Sequence, residues 1–259
     1  MNAAGHALVT GGSSGIGKAV AARLGLAGHR VTICGRNPER LQEAAEELAK
    51  QDVAVTTVVA DVSLPDQVAG LVAEAVRSNG PISILVNNAG RNGGGKTAEL
   101  SDELWRDVMS TNLDSVFYTT REVLANGGIT AQPAARIINI ASTAGKQGVL
   151  LAAPYSASKH AVVGFTKALG KELAPQRITV NAVCPGYVET PMAQRVRQNY
   201  AAAWDTTTED ILEQFEAKIP LGRYSTPDEV ASMVEYLTTE GAASVTAQAL
   251  NVCGGLGNF

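Results

Sequence analysis

Histidine, cysteine and aromatic residues are all scarce in this chain, and no long apolar run occurs in it. Of its 259 residues three are histidine, three are cysteine and 5% are aromatic. His6, His29 and His160 are scattered, whereas metal sites need grouped ligands. No metal is expected, and the three read as structural or surface residues. Cys34, Cys184 and Cys253 are odd in number and include no CxxC pair, which argues against a disulfide framework or a zinc site. Two of them sit in apolar, strand-like contexts and read as small core residues. Without a run of about 18 apolar residues, no helix is expected to cross a bilayer. The net charge of −4 suits neither nucleic acid nor an anionic membrane. Met1-Asn2-Ala3-Ala4-Gly5-His6 leads into a strand-like run with no apolar leader, so a reducing, cytoplasmic setting is expected.

What is present is a globular composition, 45% apolar and 18% charged, long enough for one large α/β unit. No linker, repeat or low-complexity segment divides residues 1–259, which read as one domain. The apolar run Ala7-Leu8-Val9 breaks at Thr10-Gly11-Gly12-Ser13-Ser14-Gly15-Ile16-Gly17 and resumes as a helix. Strand, glycine-rich turn and helix form the layout of a dinucleotide site. The glycines let backbone N–H groups approach a pyrophosphate at the positive end of the helix. Further strands are expected at 30–34, 53–60, 82–86, 136–141, 178–184 and 248–252. Charged amphipathic or capped helical segments alternate with them, at 38–50, 65–78, from Ser101, from Pro154 and from Thr226. Apolar strands alternating with helices predict a Rossmann-type, doubly wound α/β fold with a seven-stranded parallel sheet.

In such sheets ligands bind beyond the carboxyl ends of the strands. Gly11, Arg36, Asp61 and Asn88 each fall at such an end. The second strand ends in Gly35-Arg36-Asn37, without the acid that would hold ribose hydroxyls. A guanidinium there suits a 2′-phosphate, so Arg36 points to NADPH; its blander reading is a solvated arginine at a helix start. Tyr155 and Lys159 stand four apart, on one face of a helix. An adjacent ammonium favours the phenolate and makes the phenol a usable proton donor near neutral pH. Alone, such a pair is more often a solvated surface pair. Ser142 follows the fifth strand, and Asn112 lies mid-helix, where asparagine is a mediocre helix former. Residues 187–222 have no place in the alternation and read as a helical substrate lid containing Trp204.

Taken together and in order, Thr10-Gly11-x-x-x-Gly15-x-Gly17, Asn87-Asn88-Ala89-Gly90, Asn112, Ser142 and Tyr155-x-x-x-Lys159 resemble the classical short-chain dehydrogenases/reductases over essentially the whole chain. Further runs are similar to the ketoreductases of bacterial aromatic (type II) polyketide synthases. They are Asn87 to Gly95 with Thr97-Ala98-Glu99-Leu100, Lys146-Gln147-Gly148-Val149, Val183-Cys184-Pro185-Gly186 and Asn251 to Asn258. The chain departs from that subfamily at Asn92, where the pattern has proline before two glycines.

The resemblance implies a role for each matching position. Tyr155 is the general acid of ketone reduction, Ser142 bonds the carbonyl oxygen, and Lys159 holds the nicotinamide ribose and lowers the Tyr155 pKa. Asn112 bends its helix and anchors a water relay. Thr10, Gly11, Ser13, Ser14, Gly15, Ile16 and Gly17 belong to the phosphate turn, and Asp61 and Val62 flank adenine. Asn88, Ala89 and Gly90 line the ribose, and Pro185, Gly186, Val188 and Thr190 lie toward the carboxamide. Arg91, Asn92, Gly93, Gly94 and Trp204 face the substrate, with Arg91 near a carrier arm's phosphate. The implied activity is NADPH-dependent reduction of a polyketide ketone on an acyl carrier protein, in an antibiotic-type pathway, by a homotetramer. A stripe of small residues, Ala157, Ala161, Gly164 and Ala168, would admit a partner helix. The other readings are a 3-oxoacyl-carrier reductase of fatty acid synthesis, a general NADP-dependent alcohol dehydrogenase, or a nucleotide-sensing protein without chemistry.

Overall fold

The apolar segments pair into one parallel sheet. β1 (His6–Thr10), β2 (Arg30–Gly35), β3 (Val55–Val59), β4 (Ile84–Asn87), β5 (Ala135–Ile140), β6 (Ile178–Pro185) and β7 (Ala249–Val252) lie in the order β3-β2-β1-β4-β5-β6-β7. The structure is a computed structural model that describes residues 5–257. Met1 to Ala4, and Asn258 of the terminal motif, lie outside the described residues. β1 pairs with both β2 and β4, setting Val9 beside Ile33 and Val86. The chain therefore runs outward on both sides from β1 and β4, and the carboxyl ends of these two strands flank the point where the direction reverses.

Nine α-helices cover the sheet among the described residues: α1 (Gly15–Leu26), α2 (Pro38–Ala49), α3 (Pro65–Asn79), α4 (Asp102–Met109), α5 (Ser115–Asn126), α6 (Ala153–Leu173), α7 (Pro191–Trp204), α8 (Thr208–Glu216) and α9 (Pro227–Thr238). Strand side chains alternate between two buried layers. Ala7, Val9 and Ile33 pack with Val20 and Leu24 of α1, Leu41 of α2 and Val230 and Val234 of α9. Leu8, Leu85 and Ile137 pack with Leu71 of α3, Val123 of α5 and Leu169 of α6. Burial on both faces is why these strands are nearly continuously apolar.

Three expectations change in detail. The third strand begins at Val55 rather than Val53, and the fourth at Ile84 rather than Ile82. The helix expected to run unbroken from Ser101 is interrupted, because Ser110–Asp114 forms a π turn between α4 and α5. The excursion after β6 is helical, as expected. α7 and α8 bury Ala201, Ile211, Phe215, Ile219 and Tyr224 in a cluster of their own.

Candidate functional site

The carboxyl edge of the sheet carries the site, and its glycines are required by close packing. Gly11 has φ +65, and a Cβ there would lie 2.9 Å from the Ala89 Cα. A Cβ on Gly17 would lie 2.4 Å from both the Asn88 amide nitrogen and the Gly11 carbonyl oxygen. The turn after β1 is thereby pressed against the turn after β4, and the N-terminus of α1 stays open. Thr10 is buried, with its Oγ1 accepting from the N–H groups of Asn88 and Ala89, each at 3.0 Å. Asn88 Nδ2 in turn donates to the carbonyls of Thr10 (2.9 Å) and Gly11 (3.1 Å). These two side chains brace the edge, and what faces outward from the turn is backbone, with Ser13 and the exposed Ser14. Ile16 anchors the turn from below, against the core around Val20 and Leu24.

Arg36 follows β2 with most of its side chain exposed, 3.7 Å from the Asp61 carboxylate. Gly35 precedes it and leaves room for Ser13, whose hydroxyl would sit 3.4 Å from an added Cβ. Burial pulls the Asp61 pKa upward. Its bonds from the Ser63 hydroxyl and N–H, together with Arg36, outweigh that and hold the carboxyl below its usual value. Val62 is buried beside it. At the far end Pro185 closes β6, and Gly186 donates its N–H to Val252. Val188 bridges to Ser225, and Thr190 caps α7 by accepting from the Ala193 N–H at 3.2 Å. The Thr190 methyl lies 3.3 Å from the place a Gly15 Cβ would take, so the root of α7 stands over the start of α1.

Between these halves the structure brings together Asn112, Ser142, Tyr155 and Lys159. Ser142 lies two residues beyond β5, starts the Thr143–Gly145 turn by accepting from the Ala144 N–H, and sets its hydroxyl beside the Tyr155 side chain. Gly145 presses this turn onto α6, since a Cβ there would meet the Lys159 carbonyl oxygen at 2.6 Å. The Lys159 ammonium donates to the Ile140 carbonyl at 2.8 Å and lies 5.8 Å from the Tyr155 ring centroid. Asn112, fully buried in the π turn, accepts from the Arg91 N–H (2.8 Å) and donates to the Arg91 carbonyl (3.0 Å). Gly90 makes this convergence possible, because a Cβ there would be 3.3 Å from Asn112 Oδ1 and 3.7 Å from Lys159 Nζ.

The protonation balance differs from expectation. Burial raises the Tyr155 pKa, only partly opposed by the Ser142 hydrogen bond, so the expected lowering by Lys159 is not found. The desolvation that enclosure by protein imposes outweighs the Ser142 hydroxyl, which alone acts to lower it. The same desolvation pushes Lys159 down to about 8.

The substrate-side residues are placed less simply. Arg91 does not stand free at a pocket mouth. Its guanidinium is ion-paired with Asp107, and its Nε donates to the Asn92 carbonyl at 3.1 Å. Gly93 packs on Val108, where a Cβ would sit 2.3 Å from a methyl, and Gly94 packs on the Leu151 carbonyl, where a Cβ would sit 1.9 Å away. Trp204 is 36% exposed and packs edge-on against Tyr200 (4.9 Å) and Phe215 (6.4 Å), contacts within the lid itself. Tyr187, stacked between Phe215 and Tyr224, ties that lid to the sheet.

Sequence reasoning passed over several residues here. Asp107 and Ser158 gave no signal beyond a charged and a small residue on helices. Asn139, alone among Ile137, Ile138 and Ile140, was a visible anomaly. It accepts from Asn87 and donates to Thr166, linking β4, β5 and α6 behind the site.

The sequence profile of the short chain dehydrogenase family matches residues 5–201. The chain belongs to that family. Among relatives of this short-chain dehydrogenase, a Streptomyces virginiae protein assigned as ketoacyl reductase of the monensin polyketide synthase is 62% identical over 253 residues. That match covers 98% of this chain and 97% of the relative. The 3-oxoacyl-acyl-carrier-protein reductase of Pseudomonas aeruginosa is 36% identical, over 96% of both chains. Among solved structures, a variant of actinorhodin polyketide ketoreductase with NADPH superposes with a TM-score of 0.97 at 57% identity. It covers 99% of this dehydrogenase and 98% of its own chain.

Proposed function

We propose that this short-chain dehydrogenase is an NADPH-dependent ketoreductase of aromatic polyketide biosynthesis. It converts one ketone of a polyketide chain, held on an acyl carrier protein, to a secondary alcohol. The observation that carries the reading is the convergence of Ser142, Tyr155, Lys159 and Asn112 beside an open helix N-terminus, in a chain 57–62% identical over its full length to polyketide reductases. The 3-oxoacyl-acyl-carrier reductases stand at 36% identity, which favours the polyketide substrate. An intact proton-donor group argues against a protein that only senses nucleotide.

The residues present fit NADPH. The Gly11–Gly17 turn leaves backbone N–H groups at the start of α1 for the pyrophosphate. Exposed Arg36 stands where the 2′-phosphate would lie. Asp61 and Val62 flank the adenine, and Ala89, Gly90, Tyr155 and Lys159 line the nicotinamide ribose. Val188 and Thr190 hold the carboxamide end. When bound, NADPH supplies the hydride that reduces the carbonyl carbon.

The chain's own groups manage the oxygen. The Ser142 and Tyr155 hydroxyls, set beside each other, both reach the carbonyl oxygen. As charge develops there, Ser142 donates a hydrogen bond and Tyr155 donates its proton. The raised Tyr155 pKa keeps that proton in place until the oxygen becomes basic enough to take it. The proton that Tyr155 gives up is refilled from solvent by the water relay that Asn112, clamped to the 91 loop, anchors beside Lys159.

Two faces support assembly into a homotetramer. One is the exposed stripe on α6. The other is a recess of about 450 Å³ lined by Leu221, Met233, Tyr236 and Val252. Two separate faces suit closed two-fold assembly.

NADPH oxidation by the purified protein is the direct test. Turnover of a bicyclic ketone such as trans-1-decalone is expected, with higher kcat/KM for carrier-bound polyketide. Preference for a short linear 3-oxoacyl carrier substrate would assign it to fatty acid synthesis instead.

A further inference from the structure

Within the turn between Tyr155 and Lys159 lies a hydroxyl to which the reaction gives no task. Ser158 is completely buried. A serine inside a helix often satisfies its hydroxyl on a carbonyl one turn back, and here Ser158 Oγ donates to the Tyr155 carbonyl at 2.8 Å. Its single proton is then committed, and the oxygen can only accept. It accepts from Asn112 Nδ2 at 3.1 Å.

This favours one direction of a carboxamide. Rotated by half a turn, Asn112 would set its own oxygen against an oxygen that has no proton to offer. It would also set its NH₂ against the Arg91 N–H and its oxygen against the Arg91 carbonyl. Of the three bonds that hold Asn112, the one to Ser158 reaches α6. A π turn is a strained insertion that persists where its surroundings impose it. Ser158 ties that turn to α6 between the two residues whose separation from Asn112 matters.

We propose that Ser158 is a positioning residue. It reinforces the carboxamide orientation that the Arg91 backbone imposes on Asn112 and holds the π turn against α6, so it acts on turnover through Asn112 rather than through cofactor affinity. This rests on the role given to Asn112 above. The test compares Ser158→Ala, Ser158→Cys, Asn112→Ala and the Ser158→Ala/Asn112→Ala double variant by kcat on a bicyclic ketone and by NADPH Kd from fluorescence.

Loss of one buried hydrogen bond should lower kcat about three- to tenfold in Ser158→Ala, with NADPH Kd changed by less than about twofold. Ser158→Cys should behave alike, because a thiol is a weak acceptor of nearly the same shape; it is read in place of Ser158→Ala if the latter does not fold. In the Asn112→Ala background the Ser158 substitution should cost nothing further. Unchanged kcat in the single variants, additive losses in the double variant, or NADPH affinity falling in step with kcat would overturn the proposal. Wild-type turnover in Asn112→Ala would overturn the reading of Asn112 and this proposal with it. A normal loss in Asn112→Ala, with none in Ser158→Ala, overturns the proposal alone.

Discussion

Tyr155 is expected to carry the proton that the reaction needs, and Tyr155→Phe removes little else. Turnover should fall about 10²–10⁴-fold while NADPH binds with near wild-type Kd by fluorescence titration. Lys159 has a titration of its own. Its pKa near 8 in the folded protein lies below the value of about 10.4 expected of an unfolded lysine. Between these two values the unfolded chain holds more protons, so the contribution of Lys159 to stability rises with pH across that window. Lys159→Met should therefore be the more stable protein near pH 7, with the gap in Tm closing as pH approaches 10. A gap independent of pH would mean that Lys159 is not desolvated. Arg36 is more exposed and is expected to act through charge and forked hydrogen bonds to the 2′-phosphate. Arg36→Asp should lose about 1.5–3 kcal/mol of 2′-phosphate binding, roughly ten- to a hundredfold in kcat/KM for NADPH, with kcat/KM for NADH spared.

Elements set how much each turn tolerates. The 91–95 loop rests on the 149–152 turn, where the Gly95 N–H donates to the Leu151 carbonyl at 2.8 Å, and Leu151 itself adopts φ +57. A methyl at Gly94 has no room against that carbonyl. Gly94→Ala should displace the loop, raising KM for ketone several-fold while NADPH Kd stays within about twofold, since the phosphate turn lies on other strands. The lid responds differently because it has its own core. Tyr187, Phe215 and Tyr224 stack in sequence, and the Tyr200 hydroxyl donates to the Leu150 carbonyl. Helices α7 and α8 thus form one packed unit beside the Val188–Ser225 bridge.

At the scale of the molecule, the small-residue stripe on α6 is the feature that the isolated chain does not explain. Nothing lies within 4 Å of a Cβ built on Gly164. Gly164→Glu should therefore leave the subunit folded, with unchanged circular dichroism, yet place a charge where a partner helix would pack. Light scattering should show loss of the tetramer, to dimer or monomer. An unchanged mass would show that this face is not an interface.

Much of this was legible in the order of residues. Strand, turn and helix follow from local patterns of two and 3.6 residues, so the alternation and the glycine turn were readable with boundaries off by about two residues. Arg36 in place of an acid, and Tyr155 with Lys159 one helical turn on, are also local facts. What depends on residues far apart in sequence was decided only by the fold. Thr10 and Asn88 brace each other across the turns after β1 and β4, and Arg91 is paired with Asp107. Asn112 sits in a π turn, and Ser158 reaches it across 46 residues. The direction of the Tyr155 shift belongs here too. Spacing shows which groups are near, but desolvation depends on everything packed around them, and that is known only once the chain has closed over the site.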